Sequence, residues 1–224
     1  MKRLCILSVL FVTGCASMPV PKMTEPQASV IGIQVETRAP VGVFSHKPDA
    51  AYFVKIDGEG DVVQNQLIPS NFSKDGRIYL LNAKPGAYAA VAVFRSQAGS
   101  PFGSAPQPGI SVSVRVGKTG YTTYFSKELI EATKTNVAAG EIAFMGSYIV
   151  KQSVGLADAE PIQNHYANLL SPGSSKSGFG NLLSGDYHYR GSASDMKHDD
   201  NTRKEFIKNA TDDLAEGGWK SVVK

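Results

Sequence analysis

Cysteine is nearly absent from this sequence, and its absence excludes several classes of protein. The chain has 224 residues and two cysteines, Cys5 and Cys15, both close to the N-terminus. Most of the chain therefore has no thiol for a disulfide scaffold, a four-cysteine zinc site or a cysteine nucleophile. A net charge of +3 is too small to indicate the concentrated basic face that nucleic-acid binding needs.

Long hydrophobic runs are also missing. Residues 4–12 form an uncharged, mostly apolar run directly after Lys2 and Arg3. A run of this length is too short to cross a bilayer, which takes about 20 apolar residues. A basic start followed by a short apolar run is typical of a secretory signal. We predict that residues 1–14 are a signal peptide.

The end of this signal carries a more specific pattern. Val12-Thr13-Gly14-Cys15 resembles the lipobox of bacterial lipoproteins. In that family the signal is cut before the cysteine, whose sulfur and new amine are then acylated. The resemblance implies a lipidated Cys15, a membrane contact through the lipid, and no free thiol in the mature chain. Ala16, where an Asp would favour retention in the inner membrane, favours the outer membrane, with the domain facing the periplasm or the cell surface.

Residues 15–28 follow as a segment of small, polar and proline residues. Pro19, Pro21 and Pro26 disfavour a helix and favour an extended chain. We predict a tether that holds the domain clear of the lipid headgroups.

Residues 29–152 are predicted to form a β domain. Short apolar or alternating runs are separated by turn residues, and no regular series of long helices interrupts them. This pattern favours an antiparallel sandwich. Residues 127–134 are also compatible with a helical turn. The predicted strands are residues 30–35, 41–44, 52–56, 62–68, 77–81, 88–94, 110–116, 121–125, 130–137 and 142–150.

Two turns in this domain carry a second resemblance. Lys84-Pro85-Gly86 before Tyr88, and Gly140-Glu141-Ile142 after Val137, resemble the hairpins of prealbumin-like, peptidase-regulatory-like modules of envelope lipoproteins. The resemblance implies a mainly β, antiparallel, immunoglobulin-like or prealbumin-like sandwich. It implies no catalytic residues.

Residues 153–224 differ in character and are predicted to be a small C-terminal appendage that contains helices. Asp158 is predicted to cap a short helix that has Pro161 in its first turn and runs to about Leu170, and a Gly- and Ser-rich loop follows. Residues 187–190 are predicted to be a short strand. The strongest helix pattern covers residues 202–216, where Thr202 and Glu205 match a capping box.

Five residues are candidate contacts to a ligand or partner. His188 and Arg190 share one side of the short strand, with tyrosines on the other side. His198 and Asp199 lie in an acidic segment that matches no calcium loop and that suits the N-terminus of the following helix. Phe102 lies in the Pro- and Gly-rich loop of residues 96–109, where binding residues are often found.

The sequence predicts no enzyme site, metal or cofactor with a recognisable motif. There is no Gly-x-Ser-x-Gly elbow and no phosphate-binding loop. We predict a non-enzymatic interaction or assembly module with an envelope protein as partner and no nucleic acid. Two alternatives stay open: an envelope hydrolase that uses Asp, His and Tyr residues of the C-terminal part, and a carrier with a tyrosine-lined interior.

Overall fold

The computed structural model describes residues 19–41, 44–57, 60–96, 120–172 and 186–223, which form a mainly β structure. The mainly β class predicted from the sequence is thus confirmed. The strands are β1 (Ser29–Arg38), β2 (Ser45–His46), β3 (Ala50–Ile56), β4 (Ile68–Pro69), β5 (Phe72–Lys74), β6 (Arg77–Ala83), β7 (Gly86–Ser96), β8 (Gly120–Phe125), β9 (Thr135–Val137), β10 (Ile142–Val154) and β11 (Asp186–Lys197). The helices are α1 (Lys127–Ala132), α2 (Pro161–Leu170), α3 (Asp200–Asp213) and a short 3-10 helix, Trp219–Ser221.

The strands belong to one curled, mixed sheet, which corrects the predicted antiparallel arrangement. Their order is β4-β3-β7-β8-β11-β10-β1-β6-β5, while β2 pairs with β1 and β9 with β7. The pairs β1 with β10 and β8 with β11 are parallel. Side chains alternate with the same two-residue period in both kinds of ladder, so alternation alone does not reveal strand direction.

One short segment joins the two edges of the sheet. β4 pairs with β3, and β5 pairs with β6 at the other edge. Only Ser70 and Asn71 separate β4 from β5. Ser70 exchanges two hydrogen bonds with the Ala51 backbone, of 2.8 and 3.0 Å. Asn71 binds both backbone groups of Leu81 with its side chain. The sheet therefore closes on itself.

The inner face of the closed sheet holds the larger core. Ile31, Ile33 and Val35 of β1 belong to it, and all three are buried. The alternate residues Val30 and Gly32 face the opposite side of the sheet, where α3 packs. A Cβ on Gly32 would lie 2.5 Å from the Phe206 ring of α3. This alternation fixes which side of each neighbouring strand is inside.

Helix α1 covers one end of this inner core. Its Leu129 and Ile130 are fully buried in the core. The Tyr148 hydroxyl donates to the carbonyl of Ala132, at 2.8 Å, and Thr133 binds both backbone groups of Ala90. The sequence was compatible with either a strand or a helical turn in residues 127–134. The structure shows helix α1 there, followed by β9.

Helix α3 and the last residues cover part of the outer face. Phe206, Ala210 and Trp219 pack on Val30 and Leu81 in a second core. The helix begins two residues earlier than predicted, because Asp199 rather than Thr202 is its N-cap.

Strand β11 has a different place from the one expected of an appendage. It lies between β8 and β10 and is paired with both. The predicted short strand of residues 187–190 is its first part. The C-terminal segment therefore supplies a central strand of the sheet as well as α3.

The turns that carry the prealbumin-like resemblance do not form hairpins here. β6 pairs with β1 and β5, whereas β7 pairs with β3, β8 and β9. β9 pairs with β7, whereas β10 pairs with β1 and β11. Each turn thus connects two strands, β6 with β7 and β9 with β10, that do not pair with each other.

Candidate functional site

Two residues that the sequence singled out, Cys15 and Phe102, lie outside the described residues, as does the predicted strand of residues 110–116. The other candidate residues are described. The structure places His188 and Arg190 near the start of β11, and His198 and Asp199 between β11 and α3. The two pairs do not meet in a common site.

His188 is a buried residue that stacks on a tyrosine. Its Nδ1 lies 3.1 Å from the Tyr124 hydroxyl, and the two rings are 5.8 Å apart. Burial lowers the pKa of His188, although the Asp186 charge acts in the opposite sense. Within the described residues the buried His188 Nε2 and Arg190 Nε have no hydrogen-bond partner. Arg190 binds Asp158 through its Nη atoms, at 2.7 Å to the carbonyl.

Asp199 and His198 have separate structural contacts. Asp199 accepts hydrogen bonds from the amides of Asn201 and Thr202, each 3.0 Å long, and from the Thr202 hydroxyl. These bonds from Thr202 are the main reason that the pKa of Asp199 is lowered. His198 Nε2 lies 3.0 Å from the hydroxyl of Tyr148, at the end of the core where α1 packs. In the described ranges no three His, Cys, Asp or Glu residues cluster as a metal site would need.

A cluster that the sequence did not identify lies at the other end of the sheet. Arg95, Tyr121 and Tyr187 are register partners on β7, β8 and β11, so their side chains leave the same face. The rings of Tyr121 and Tyr187 are stacked at 5.1 Å, and Tyr189 stands 6.3 Å from Tyr121. The guanidinium of Arg95 lies 4.4 Å from the Tyr121 ring centre. We call these four residues the tyrosine surface.

The tyrosine surface continues the inner face of the sheet. Thr123 pairs with Tyr189 and is buried, and it accepts a 2.7 Å hydrogen bond from Gln152. His46 Nδ1 lies 3.5 Å from Arg95, and burial together with the Arg95 charge lowers the pKa of His46. All four members of the surface are partly exposed. The inner core is thus covered by α1 at one end and bounded by aromatic rings and a cation at the other.

The alternation of side chains along a strand predicts part of the tyrosine surface from the sequence. The sequence put Tyr187 and Tyr189 on the same side of a strand, opposite His188. The sequence offered no means of finding Tyr121 and Arg95. Tyr121 meets Tyr187 across a parallel pair of strands that are distant in sequence, and Arg95 meets Tyr121 across the antiparallel pair of β7 and β8. The Tyr-Thr-Thr-Tyr run of β8 was the one available signal.

A buried ion pair lies elsewhere, between β6 and the end of α3. Arg77 donates two hydrogen bonds to the Asp213 carboxylate, at 2.6 and 3.0 Å. The Tyr79 hydroxyl donates a third, at 2.7 Å, and Lys74 lies at 3.4 Å. Both oxygens of Asp213 thereby accept hydrogen bonds from β6, so this cluster fastens α3 to the sheet.

Two cavities lie apart from the tyrosine surface. One, of about 150 Å³, is bordered by β1, β10 and β11, with the charged Glu36, Asp195 and Lys197 among its lining residues. The other, of about 620 Å³, is an open groove between α3 and the start of β10, with Glu141, Arg203 and Lys204 among its lining residues. Both cavities are lined by positive and negative side chains, which is typical of solvent-exposed surface depressions.

The histidine contacts bear on the hydrolase alternative. Their hydrogen-bond partners are Arg95 for His46, the Gln64 carbonyl for His165, and a tyrosine hydroxyl each for His188 and His198. In a catalytic triad a carboxylate orients the histidine that acts as general base, and the partners given above for these four histidines are not carboxylates.

Comparison with protein-family models, with curated proteins and with solved structures found no match for this chain. In the described part of the chain, no helix combines the length and the apolar character needed to span a membrane.

Proposed function

We propose that this protein is a lipid-anchored lipoprotein of the outer membrane whose domain is a non-enzymatic interaction module. The anchor would be Cys15, and the support for it is the charged start, the short apolar run and the Val12-Thr13-Gly14-Cys15 pattern. Two or more acyl chains on one cysteine give a stable attachment without any helix in the bilayer. Kinship with prealbumin-like modules stays a prediction that rests on turn residues.

The tyrosine surface is the observation that supports an interaction role. Tyrosine and arginine are enriched at the energetic centres of protein interfaces. The rings of Tyr121, Tyr187 and Tyr189 already stack on one another, so binding would restrict few additional rotamers. Arg95 adds a cation whose charge is delocalised and which can bind a carboxylate with two hydrogen bonds. These features suit a protein partner with an acidic or carbonyl-rich segment.

The alternatives have less support from the described residues. A hydrolase would need a nucleophile, a histidine and a carboxylate in contact, and the histidines contact other groups. A carrier would need an open interior lined by tyrosines. The inner core is instead filled by side chains such as Ile33, Val93 and Val150, each at most 1% exposed.

The anchor is tested by replacing Cys15. We expect the wild-type protein to incorporate labelled palmitate and to remain in the membrane fraction after washing with high salt and alkaline carbonate. Cys15→Ala should lose the label and leave the membrane. A Cys15→Ala protein that still resists both washes would contradict the proposed anchor.

The interaction role is tested at the tyrosine surface. A photo-crosslinking amino acid at position 187 should give a discrete adduct with an envelope protein, whereas the same group at position 196 of β11 should not. The partner identified in the adduct should bind the purified domain directly. Tyr121→Ala and Arg95→Ala should each weaken that binding about tenfold or more, equivalent to about 1.4 kcal/mol. Unchanged affinity in both variants would refute the assignment of this surface.

A further inference from the structure

The segment predicted to be a free tether is bound to the domain. Pro21 accepts a 2.8 Å hydrogen bond from Trp219 Nε1, and the Met23 amide donates to the Gly217 carbonyl at 2.9 Å. Val20 and Met23 pack against the outer core. The tether interpretation for residues 19–28 is therefore replaced by a docked segment.

A second set of contacts fixes the same segment to β6. The Asn82 side chain accepts hydrogen bonds from the Thr24 amide and hydroxyl, at 2.9 and 3.0 Å. Its amide group donates to the Lys22 carbonyl at 3.0 Å. Asn82 has a φ of 62°, which asparagine adopts more readily than most residues. The chain is thus held on both sides before it enters β1 at Ser29.

Docking leaves very little free chain between the proposed lipid and the domain. Four residue steps separate Cys15 from Pro19, and each step spans at most about 3.6 Å, or about 14 Å in all. This is far shorter than the tether that the composition of residues 15–28 predicts. The domain would therefore stay at the bilayer surface, with one particular face toward it.

We infer that the surface around Pro21 and Trp219 faces the membrane and that the tyrosine surface points away from it. The inference rests on the proposed anchor at Cys15. β1 and β10 run parallel from the docked segment toward the tyrosine surface. Ile142 packs in the outer core with Trp219, and Lys151 lies nine residues farther along β10, about 30 Å away at 3.3 Å per residue.

The composition of the inferred membrane face is consistent with attachment through the lipid. The exposed Lys22 and Lys220 stand near the exposed Glu25 and Glu216 in sequence. Positive and negative groups are mixed, so the face has no strong attraction for anionic headgroups. The short chain, rather than charge, sets the orientation.

Two exposed lysines provide a matched pair of probe positions. Lys220→Cys places a thiol beside the docked segment, and Lys151→Cys places one near the far end of β10. Cys15 is acylated in the mature protein, so each variant has a single reactive thiol. The lipidated variants are labelled with a fluorophore and reconstituted in phosphatidylethanolamine and phosphatidylglycerol vesicles that contain a lipid with a nitroxide headgroup.

We expect the nitroxide to quench the fluorophore at position 220 and leave the one at position 151 unchanged. Insertion of a Gly/Ser linker of about 20 residues between Met18 and Pro19, with a mean span of about 25 Å, should abolish the quenching at position 220. The insertion leaves every contact of the docked segment intact.

The outcomes separate the inference from the proposed anchor. Protein that floats with the vesicles but shows equal quenching at both positions, or quenching at position 151 alone, would overturn the orientation and leave the anchor standing. Quenching at position 220 that survives the linker would also overturn it. Protein that carries no acyl chain and does not float would refute the anchor itself.

Discussion

The Asp213 carboxylate is the most tightly held charge among the described residues. Its side chain is 2% exposed and binds Arg77, Tyr79 and Lys74. Removing one partner of a buried pair leaves the other charge without compensation, which costs about 3 kcal/mol or more. We expect Asp213→Asn to lower the free energy of unfolding by about that amount in urea titrations. The exposed neighbour Asp212 supplies the control, and Asp212→Asn should change stability little. Equal effects in the two variants would contradict a role for the pair.

The same carboxylate makes stability depend on pH in a defined direction. Burial by itself raises the pKa of Asp213, but hydrogen bonds from Arg77 and Tyr79 and the nearby positive charges lower it by more. A folded-state pKa below the unfolded one stabilises the protein above the unfolded pKa, and this stabilisation is lost as pH falls through the folded pKa. The difference in unfolding free energy between wild type and Asp213→Asn should therefore be constant near neutral pH and shrink below about pH 4. A difference that grows in acid would contradict this sign.

Gly146 occupies a position that no side chain fits. Its φ is 118°, and a Cβ would lie 2.6 Å from His198 and 2.8 Å from the Tyr148 hydroxyl. Gly140 also has a positive φ, of 72°, but nothing lies within 4 Å of the corresponding Cβ. We expect Gly140→Ala to cost about 1 kcal/mol from backbone strain alone. Gly146→Ala should cost about 3 kcal/mol, because strain and overlap add. Thermal unfolding of both variants measures this difference in stability. Equal decreases in melting temperature would contradict the prediction, because they would mean that neighbouring atoms move to relieve the overlap at position 146.

At the scale of elements, the docked N-terminal segment is the part most easily tested. Asn82→Gly retains the backbone conformation at φ 62° while removing three side-chain hydrogen bonds to residues 22 and 24. We expect the Met23 amide, which donates to Gly217, to exchange its hydrogen about tenfold faster, corresponding to about 1.4 kcal/mol. The Val35 amide in β1 should be unaffected. Equal protection of Met23 in both proteins would mean that Asn82 does not hold the segment.

The sequence predicted some elements well for a clear physical reason. β1, β3, β8 and β10 are rich in β-branched or aromatic residues, which suit a half-buried pleated surface, and β6 and β7 are mostly apolar. β11 was predicted only over residues 187–190, because the Gly-Ser-Ala-Ser-Asp run that follows has low strand propensity. Pairing with strands on both sides keeps that run extended. Residues 62–67 show the reverse case, since they are apolar in part and yet not in a strand.

At the scale of the whole molecule, β11 makes the fold depend on nearly the entire chain. It fills the gap between β8 and β10, which no earlier strand occupies. We expect a chain that ends at residue 185 to lack a cooperative unfolding transition, because the closed sheet would be interrupted at its centre. A peptide of residues 186–223 added in trans should restore the transition. A truncated chain that unfolds cooperatively by itself would contradict this dependence.

The candidate site illustrates the limit of inference from one sequence. His188, Arg190, His198 and Asp199 were selected for their chemical type, and the structure gives each of them a local contact. The tyrosine surface is assembled from three strands whose adjacency depends on the mixed order of the sheet. Tyr187 and Tyr189 could be placed on one face by alternation, but their neighbours could not be named without that order.

The curled sheet has a consequence for the lipid-anchored form that we propose. Anchored molecules meet one another repeatedly at a high two-dimensional concentration, and an open sheet edge is a template for pairing with a neighbouring copy. Here the segment with β4 and β5 pairs with part of β3 on one side and part of β6 on the other, so each edge has backbone partners along part of its length. These pairings shorten the unpaired edge that lateral crowding could bring together. In the proposed anchored form, the two short strands β4 and β5 would in this way reduce aggregation through strand pairing.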